Sequence, residues 1–240
     1  MDPLAEKYPD TSPYVYCANN PIVYIDPDGR ELILSFASAG AMTSYSNIVN
    51  SALGGKYQAN LVAIAGTSNY RVEISTINSK TKITSEQKAF YNQLNKVVTA
   101  DEVVNQSIVE NDANVVVDSW QTNQIDIKDV EAFDAAGTGA ATSAGALTHS
   151  HIEQLEKAKK GLSSGNLGAT KTDASGNTTY TDYTKSHNKA IKAENKVNGN
   201  KRIEDGSGTD IFIEKNKTKT SQTVTPTATG SVTITKAIVP

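Results

Sequence analysis

The period of the apolar residues switches repeatedly along this chain, and that alternation restricts its fold class more than any other feature. "ELILSF" (31–36) is an apolar run of strand length, after which Met42, Tyr45, Ile48, Val49 and Leu53 recur at helical spacing until Gly54 and Gly55 interrupt them. "YQANLVAIAG" and "YRVEISTIN" flank a Thr-Ser-Asn turn and predict a hairpin. In "TSEQKAFYNQLNKVVTA", Thr84 and Gln87 have the spacing of a capping box, and Phe90, Leu94, Val97 and Val98 share one face of the helix that follows. Short strands are predicted over 103–109, 114–118 and 123–127, and Asp126 and Asp129 are read as caps of a short helix rather than as metal ligands. A second helical region opens near Ser143. The C-terminal "GTDIFIEKNKTKTSQTVTPTATGSVTITKAIVP" alternates Thr with Val or Ile and turns at Lys215-Asn216 and near Pro226, which predicts a small antiparallel sheet with a terminal hairpin region. Helices and strands in this order predict an α+β fold.

Several function classes are disfavoured by what the chain lacks. Cys17 is the only cysteine of 240 residues, so neither an internal disulfide framework nor a multi-cysteine zinc site is available, and at this length, with 38% hydrophobic residues, the chain can bury one good core and a small annex. The net charge is −3, with lysines dispersed among acids, so no nucleic-acid partner is expected. No apolar run approaches the roughly 18 residues of a membrane span, nor does a basic segment followed by an apolar one open the chain. If the protein is exported, something else carries the address. Trp120, the only tryptophan, is read as a packing anchor.

The first 30 residues follow different rules. "MDPLAEKYPDTSPYVYCANNPIVYIDPDGR" crowds prolines, asparagines and tyrosines ahead of an Asp-Pro-Asp-Gly turn. Through Asp2-Pro3-Leu4, Ser12-Pro13-Tyr14, Tyr16, Asn19-Asn20-Pro21 and Asp26-Pro27-Asp28-Gly29, it resembles the C-terminal end of the RHS repeat-associated core, in its Bacteroidetes-like form. The resemblance implies that residues 1–30 close a β-rich shell and that residues 31–240 form its variable C-terminal domain, often a toxin. It further implies a self-cleavage motif at Asp2 and Asp26, delivery as part of a larger secreted or cell-surface RHS protein, and a cognate immunity protein as partner. Ala5 stands where many members carry Gly.

Metal-ligand chemistry concentrates in "SAGALTHSHIEQLEKAKKG". At 100° per residue, Leu147, His151, Leu155 and Ala158 fall on one side of a helix, while His149, Glu153 and Glu156 fall on another. His151 is therefore read as a half-buried core histidine. His149 and Glu153, at i and i+4, can meet, and an imidazole with a carboxylate suits zinc, which takes a third protein ligand and keeps one position for water. His187, in the helical pattern "YTDYTKSHNKAIKAENKVNG", is the remaining histidine and the candidate third ligand. Glu194 shares its face, as a ligand or as the carboxylate that orients an imidazole from the second shell. Residues 161–181, rich in Gly, Ser, Thr and Asn, are expected to form a flexible loop between the two helices.

The succession of "TNQIDIKDVEAF", a small-residue stretch and "ALTHSHIEQ" is similar to zincin-like metallopeptidases, whose active-site helix reads His-Glu-x-x-His or, in some RHS-attached toxin domains, His-Glu-x-x-Glu. That resemblance implies a zincin-like arrangement of mixed helices with a small sheet. It maps the first histidine onto His149 and the second helix ligand onto Glu153. Strand 123–127 becomes the edge against which a protein or peptide substrate lies. Ser150 occupies the position of the family's general-base glutamate. Three readings stay open: a weakened or inactive site that still holds zinc, replacement of the base by Glu156 or Glu194, or a different alignment of the helix. The weakened zinc peptidase is the favoured expectation. The alternatives are an RHS-associated nuclease, in which His149 or His151 activates water, and a non-catalytic module that binds a target-cell surface.

Overall fold

The structure, a computed structural model, describes residues 31–205 and 208–240. The RHS-like segment, Asp2 and Asp26 included, lies outside the described residues.

In chain order the elements are β1 (Leu32–Phe36), α1 (Ala39–Ala52), β2 (Tyr57–Ala63), β3 (Tyr70–Thr76), α2 (Ser85–Val98), β4 (Val104–Val109), β5 (Asp118–Ser119) and β6 (Gln124–Asp126). There follow α3 (Ile127–Ala135), α4 (Ser143–Ala158), β7 (Thr170–Thr172), β8 (Thr178–Tyr180) and α5 (Thr181–Asn198). The chain closes with β9 (Lys201–Asp205), β10 (Thr209–Ile213), β11 (Lys219–Pro226) and β12 (Val232–Val239). The fold is α+β. A six-stranded sheet of order β2-β3-β1-β4-β6-β5 is parallel at β1/β4 and β4/β6 and antiparallel elsewhere. A four-stranded antiparallel sheet, β12-β11-β10-β9, stands beside the helices.

Alternation in the strands sets the layers. Leu32 and Leu34 of β1 and Val104, Gln106 and Ile108 of β4 are buried while their neighbours are more accessible, so one face of the large sheet carries the core. Helices α1 to α4 cover that face. Tyr45, Val49, Phe90, Leu94, Ile127, Val130, Leu147 and Leu155 join the strand residues in one apolar cluster, which Phe212 and Ile234 extend into the C-terminal sheet. Nearly every residue from Ser143 to Lys157 is buried, which makes α4 a central helix enclosed on all sides rather than an amphipathic one. Its charged members survive there by pairing. Lys157 Nζ donates to the carbonyls of Trp120 at 2.6 Å and Gln121 at 3.1 Å, and to Asn123 Oδ1 at 2.7 Å. Trp120 packs edge-on against Tyr183, as a structural anchor.

The expected capping box forms: Thr84 Oγ1 accepts from the Gln87 N–H and Gln87 Oε1 accepts from the Thr84 N–H. Of the two aspartates read as caps, Asp126 caps α3, accepting from the N–H groups of Lys128 and, on its other oxygen, Asp112, whereas Asp129 lies in the first turn and accepts from the N–H groups of Val117 and Val232. Asp126→Ala is expected to destabilise the domain by roughly 2 kcal/mol, since it removes a helix cap and leaves the Asp112 N–H without its acceptor. Urea unfolding of the variant against wild type measures the loss.

Three local expectations need correction. The Val115–Val117 run, predicted as strand, is a turn with Val117 at φ 64°. Its N–H is drawn to Asp129 Oδ2 at 3.0 Å and its carbonyl to the Asp126 N–H at 2.9 Å, so tertiary anchoring overrides β-branched propensity and leaves only Asp118–Ser119 as strand. The segment 123–127 is not the sheet edge. Strand β6 is flanked by β4 and β5, β5 forms the margin, and Ile127 already opens α3. Finally, residues 161–181 hold the β7/β8 hairpin, whose strands pair Thr170 with Tyr180 and Thr172 with Thr178.

Candidate metal centre

Helices α4 and α5 pack together at Gly145, where an added Cβ would stand 2.0 Å from Asn198 Oδ1 and displace that side chain. That oxygen instead accepts from the Thr142 N–H at 3.0 Å and its hydroxyl at 2.8 Å, and so joins the start of α4 to the end of α5. One helical turn before Asn198, Glu194 faces α4, and two turns before Glu194, His187 does the same.

His149, Glu153 and His187 converge. His149 Nε2 lies 3.0 Å from Glu153 Oε1 and 3.0 Å from His187 Nδ1, and His187 Nδ1 lies 2.6 Å from the same Glu153 oxygen. These three are a group of potential ligands able to hold a metal ion. Glu153 is 2% exposed and lies beneath the two rings, while the side chain of His187 is partly open to solvent. On its other side, His149 Nδ1–H donates to Glu194 Oε2 at 2.9 Å, and the Arg202 guanidinium of β9 donates to that same oxygen at 2.5 Å. Glu194 is thus placed to orient the His149 ring, with Asn198 Nδ2 donating to its second oxygen at 3.2 Å.

The charges follow from this enclosure. Burial opposes a charged His149 ring, but the bonds to Glu153 and Glu194 outweigh it and raise its pKa to about 10. Burial likewise opposes the Glu153 carboxylate, and the two histidines more than offset it, lowering its pKa to about 2. Glu194 is held below the usual carboxylate range by His149 and Arg202 against the same burial.

Protons alone serve the triangle poorly. Each of its two ring nitrogens brings at most one proton, so two protons must serve three short edges. With both turned on the Glu153 oxygen, the nitrogen pair 3.0 Å apart has nothing between it. A divalent cation at the centre would be held by one lone pair from each of His149, Glu153 and His187. Zinc bonds of about 2.0–2.2 Å set tetrahedral ligand atoms about 3.4 Å apart, so the observed edges need open by less than about 1 Å. The donor set, two imidazoles and a carboxylate, is one zinc accepts.

A cleft of about 190 Å³ reaches the cluster, lined among others by Asp118, His149, His187, Glu194, Arg202 and Asp210. Ser150 does not face the ligands; its hydroxyl donates to the Asp118 carboxylate of β5. Glu156 lies elsewhere, paired with Lys189 and near Lys96 at 3.9 Å and Lys159 at 3.8 Å. Asp118, Arg202 and Tyr183, whose hydroxyl is 3.4 Å from His187 Nδ1, are site residues that sequence reasoning missed. None belongs to a motif; they enter through a two-residue strand, a strand of another sheet, and a position one turn ahead of His187. Burial and then the Glu153 charge raise the Asp118 pKa to about 6.

His151 points away from this cluster. Fully buried, it presents Nδ1 to Gln106 Oε1 at 2.5 Å and Nε2 to the Tyr45 hydroxyl at 3.0 Å, a pairing that suits the neutral ring. Burial lowers its pKa to about 4, from the 6.5 of an ordinary histidine. Below pH 6.5 the unfolded chain takes a proton that the folded one refuses, so this contribution is complete above 6.5 and is lost as the pH falls toward 4. The total is about 3 kcal/mol. Urea unfolding at pH 7 and pH 4.5 is expected to show a smaller difference in His151→Asn than in wild type.

Compared with family models, curated proteins and solved structures, the chain matches none. Fold and site together define it as an α+β domain with a histidine–carboxylate triad of metal-binding type between two packed helices. Among the described residues no helix is long and apolar enough to cross a membrane.

Proposed function

We propose that residues 31–240 are a zinc-dependent, zincin-like peptidase domain, carried as the C-terminal toxin of a secreted or cell-surface RHS protein and restrained by a cognate immunity protein. The observation that supports the catalytic part is the convergence of His149 Nε2, Glu153 Oε1 and His187 Nδ1, from two helices and 38 residues of sequence, at the end of a cleft. These three side chains would hold the ion, and a bound zinc supplies Lewis-acid polarisation of the scissile carbonyl and of the attacking water. The chain's other residues orient and enclose. Glu194 accepts the His149 Nδ1 proton and so fixes which nitrogen faces the cleft, and Arg202 balances the buried Glu194 charge.

Zinc-loaded protein incubated with fluorescein-labelled unfolded casein tests the reading. Cleavage that stops with 1,10-phenanthroline and returns with added zinc supports it. Wild-type protein that retains no zinc after dialysis overturns it.

A further inference from the structure

A peptidase of this kind needs a base for its attacking water, and Ser150 has no proton-accepting power at neutral pH. The cleft offers few carboxylates. Glu194 is bound by His149 and Arg202, and Asp210 lies 3.6 Å from Arg202 Nη1. Glu156, among three lysines, is not part of the lining. Asp118 remains. It lines the cleft together with His149 and His187, it stands outside the triad of ligand atoms, and its carboxylate accepts from the Ser150 hydroxyl. Ser150, beside the ligand His149, donates its hydroxyl to one Asp118 oxygen and thereby sets the carboxylate next to the helix position from which a glutamate would have reached.

We propose that Asp118 is the general base of this site, with Ser150 as the residue that positions it. The inference rests on the metallopeptidase reading above. In the step it serves, the Asp118 carboxylate takes a proton from the attacking water while the water oxygen bonds to the scissile carbonyl carbon and the C=O π pair moves to the carbonyl oxygen. Asp118 then gives that proton to the amide nitrogen. The C–N bond breaks with its electron pair on nitrogen, the carbonyl re-forms, and the carboxylate is restored as acid and amine products leave. Sequence and structure divide the family's single glutamate between two residues: the helix keeps a hydroxyl, and a strand from the sheet margin supplies the charge.

The test uses the full chain, wild type and Asp118→Asn, with three readouts: zinc per chain after dialysis, affinity of the zinc-loaded protein for acetohydroxamate, and cleavage of labelled casein. A hydroxamate chelates the metal and passes its hydroxyl proton to a neighbouring carboxylate, so its affinity reports the base whether or not casein is a substrate. Expected for Asp118→Asn are one zinc per chain, acetohydroxamate affinity at least about 10-fold weaker, and any casein cleavage slowed at least about 100-fold. Retained zinc with unchanged hydroxamate affinity overturns the assignment and leaves the metal reading standing. Folded Asp118→Asn without zinc makes Asp118 a ligand and also overturns it. Wild type without zinc removes both readings at once. Should Asp118→Asn not fold, Ser150→Ala decides: zinc retained with acetohydroxamate affinity several-fold weaker, restored in Ser150→Thr, supports the pairing, and unchanged affinity refutes it.

Discussion

His149→Ala is expected to lower zinc affinity by more than about 100-fold, because one ring bridges everything at the site. Its Nε2 is a third of the ligand triangle, and its Nδ1–H is the link to Glu194 and through it to Arg202. With three protein ligands reduced to two, neither Glu153 nor His187 has a geometry imposed by a third partner. The variant also leaves two buried carboxylates short of a cation, so Glu153→Gln, which preserves shape and removes only one ligand charge, serves as the companion. Zinc per chain by elemental analysis after dialysis, with circular dichroism as the fold control, measures both. Arg202→Met acts at one remove: it leaves all three ligands and loosens Glu194, and a 10- to 100-fold weaker affinity is expected. A site in which Arg202→Met weakens zinc more than His149→Ala does would not be the one described here.

The second large effect lies away from the ligands. Phe212 of β10 is fully buried, carries the Arg202 guanidinium 5.5 Å from its ring centre, and extends the apolar cluster of the helices into the C-terminal sheet. Phe212→Ala is expected to destabilise the domain by about 3–5 kcal/mol, the loss typical of an aromatic core truncation. Polar ties hold the same junction. Lys236 Nζ donates to the carbonyls of Phe133, Gly137 and Ala141 at 2.8–2.9 Å, and Asp129 Oδ1 accepts from the Val232 N–H at 2.8 Å. Because Arg202 belongs to that sheet, loss of Phe212 should reach the metal site as well. Urea unfolding with and without zinc is expected to show a smaller zinc-induced stabilisation in Phe212→Ala than in wild type. Equal stabilisation in the two proteins would show that the sheet and the site are independent.

The ordering of helices and strands was legible because each long element carries its own period and its own boundary chemistry. Thr84 and Gln87 announce α2, Asp126 caps α3, and the Thr-Val alternation after residue 208 gives the terminal hairpins. Helix geometry alone put His149 and Glu153 together and turned His151 toward the core. Other readings failed where a distant group decided. A valine run became a turn because a carboxylate on α3 captured its backbone, and a strand read as an edge received a two-residue neighbour. Nothing in the helical pattern shows how deeply His149 is set, yet α5 and the C-terminal sheet enclose it.

What the sequence by itself determined about this protein is therefore local: which segments are helical, which face of α4 bears a ligand pair, and that residues 1–30 differ in kind from the rest. The sequence named His187 and Glu194 only as candidates; the tertiary structure decided that they meet His149 and Glu153, and it alone brought Arg202 to Glu194 and Asp118 to Ser150. The physical reason is range. Spacing along a helix is fixed by a 3.6-residue repeat within one element, whereas the meeting of α4, α5, β5 and β9 depends on the burial of apolar faces supplied by the whole chain.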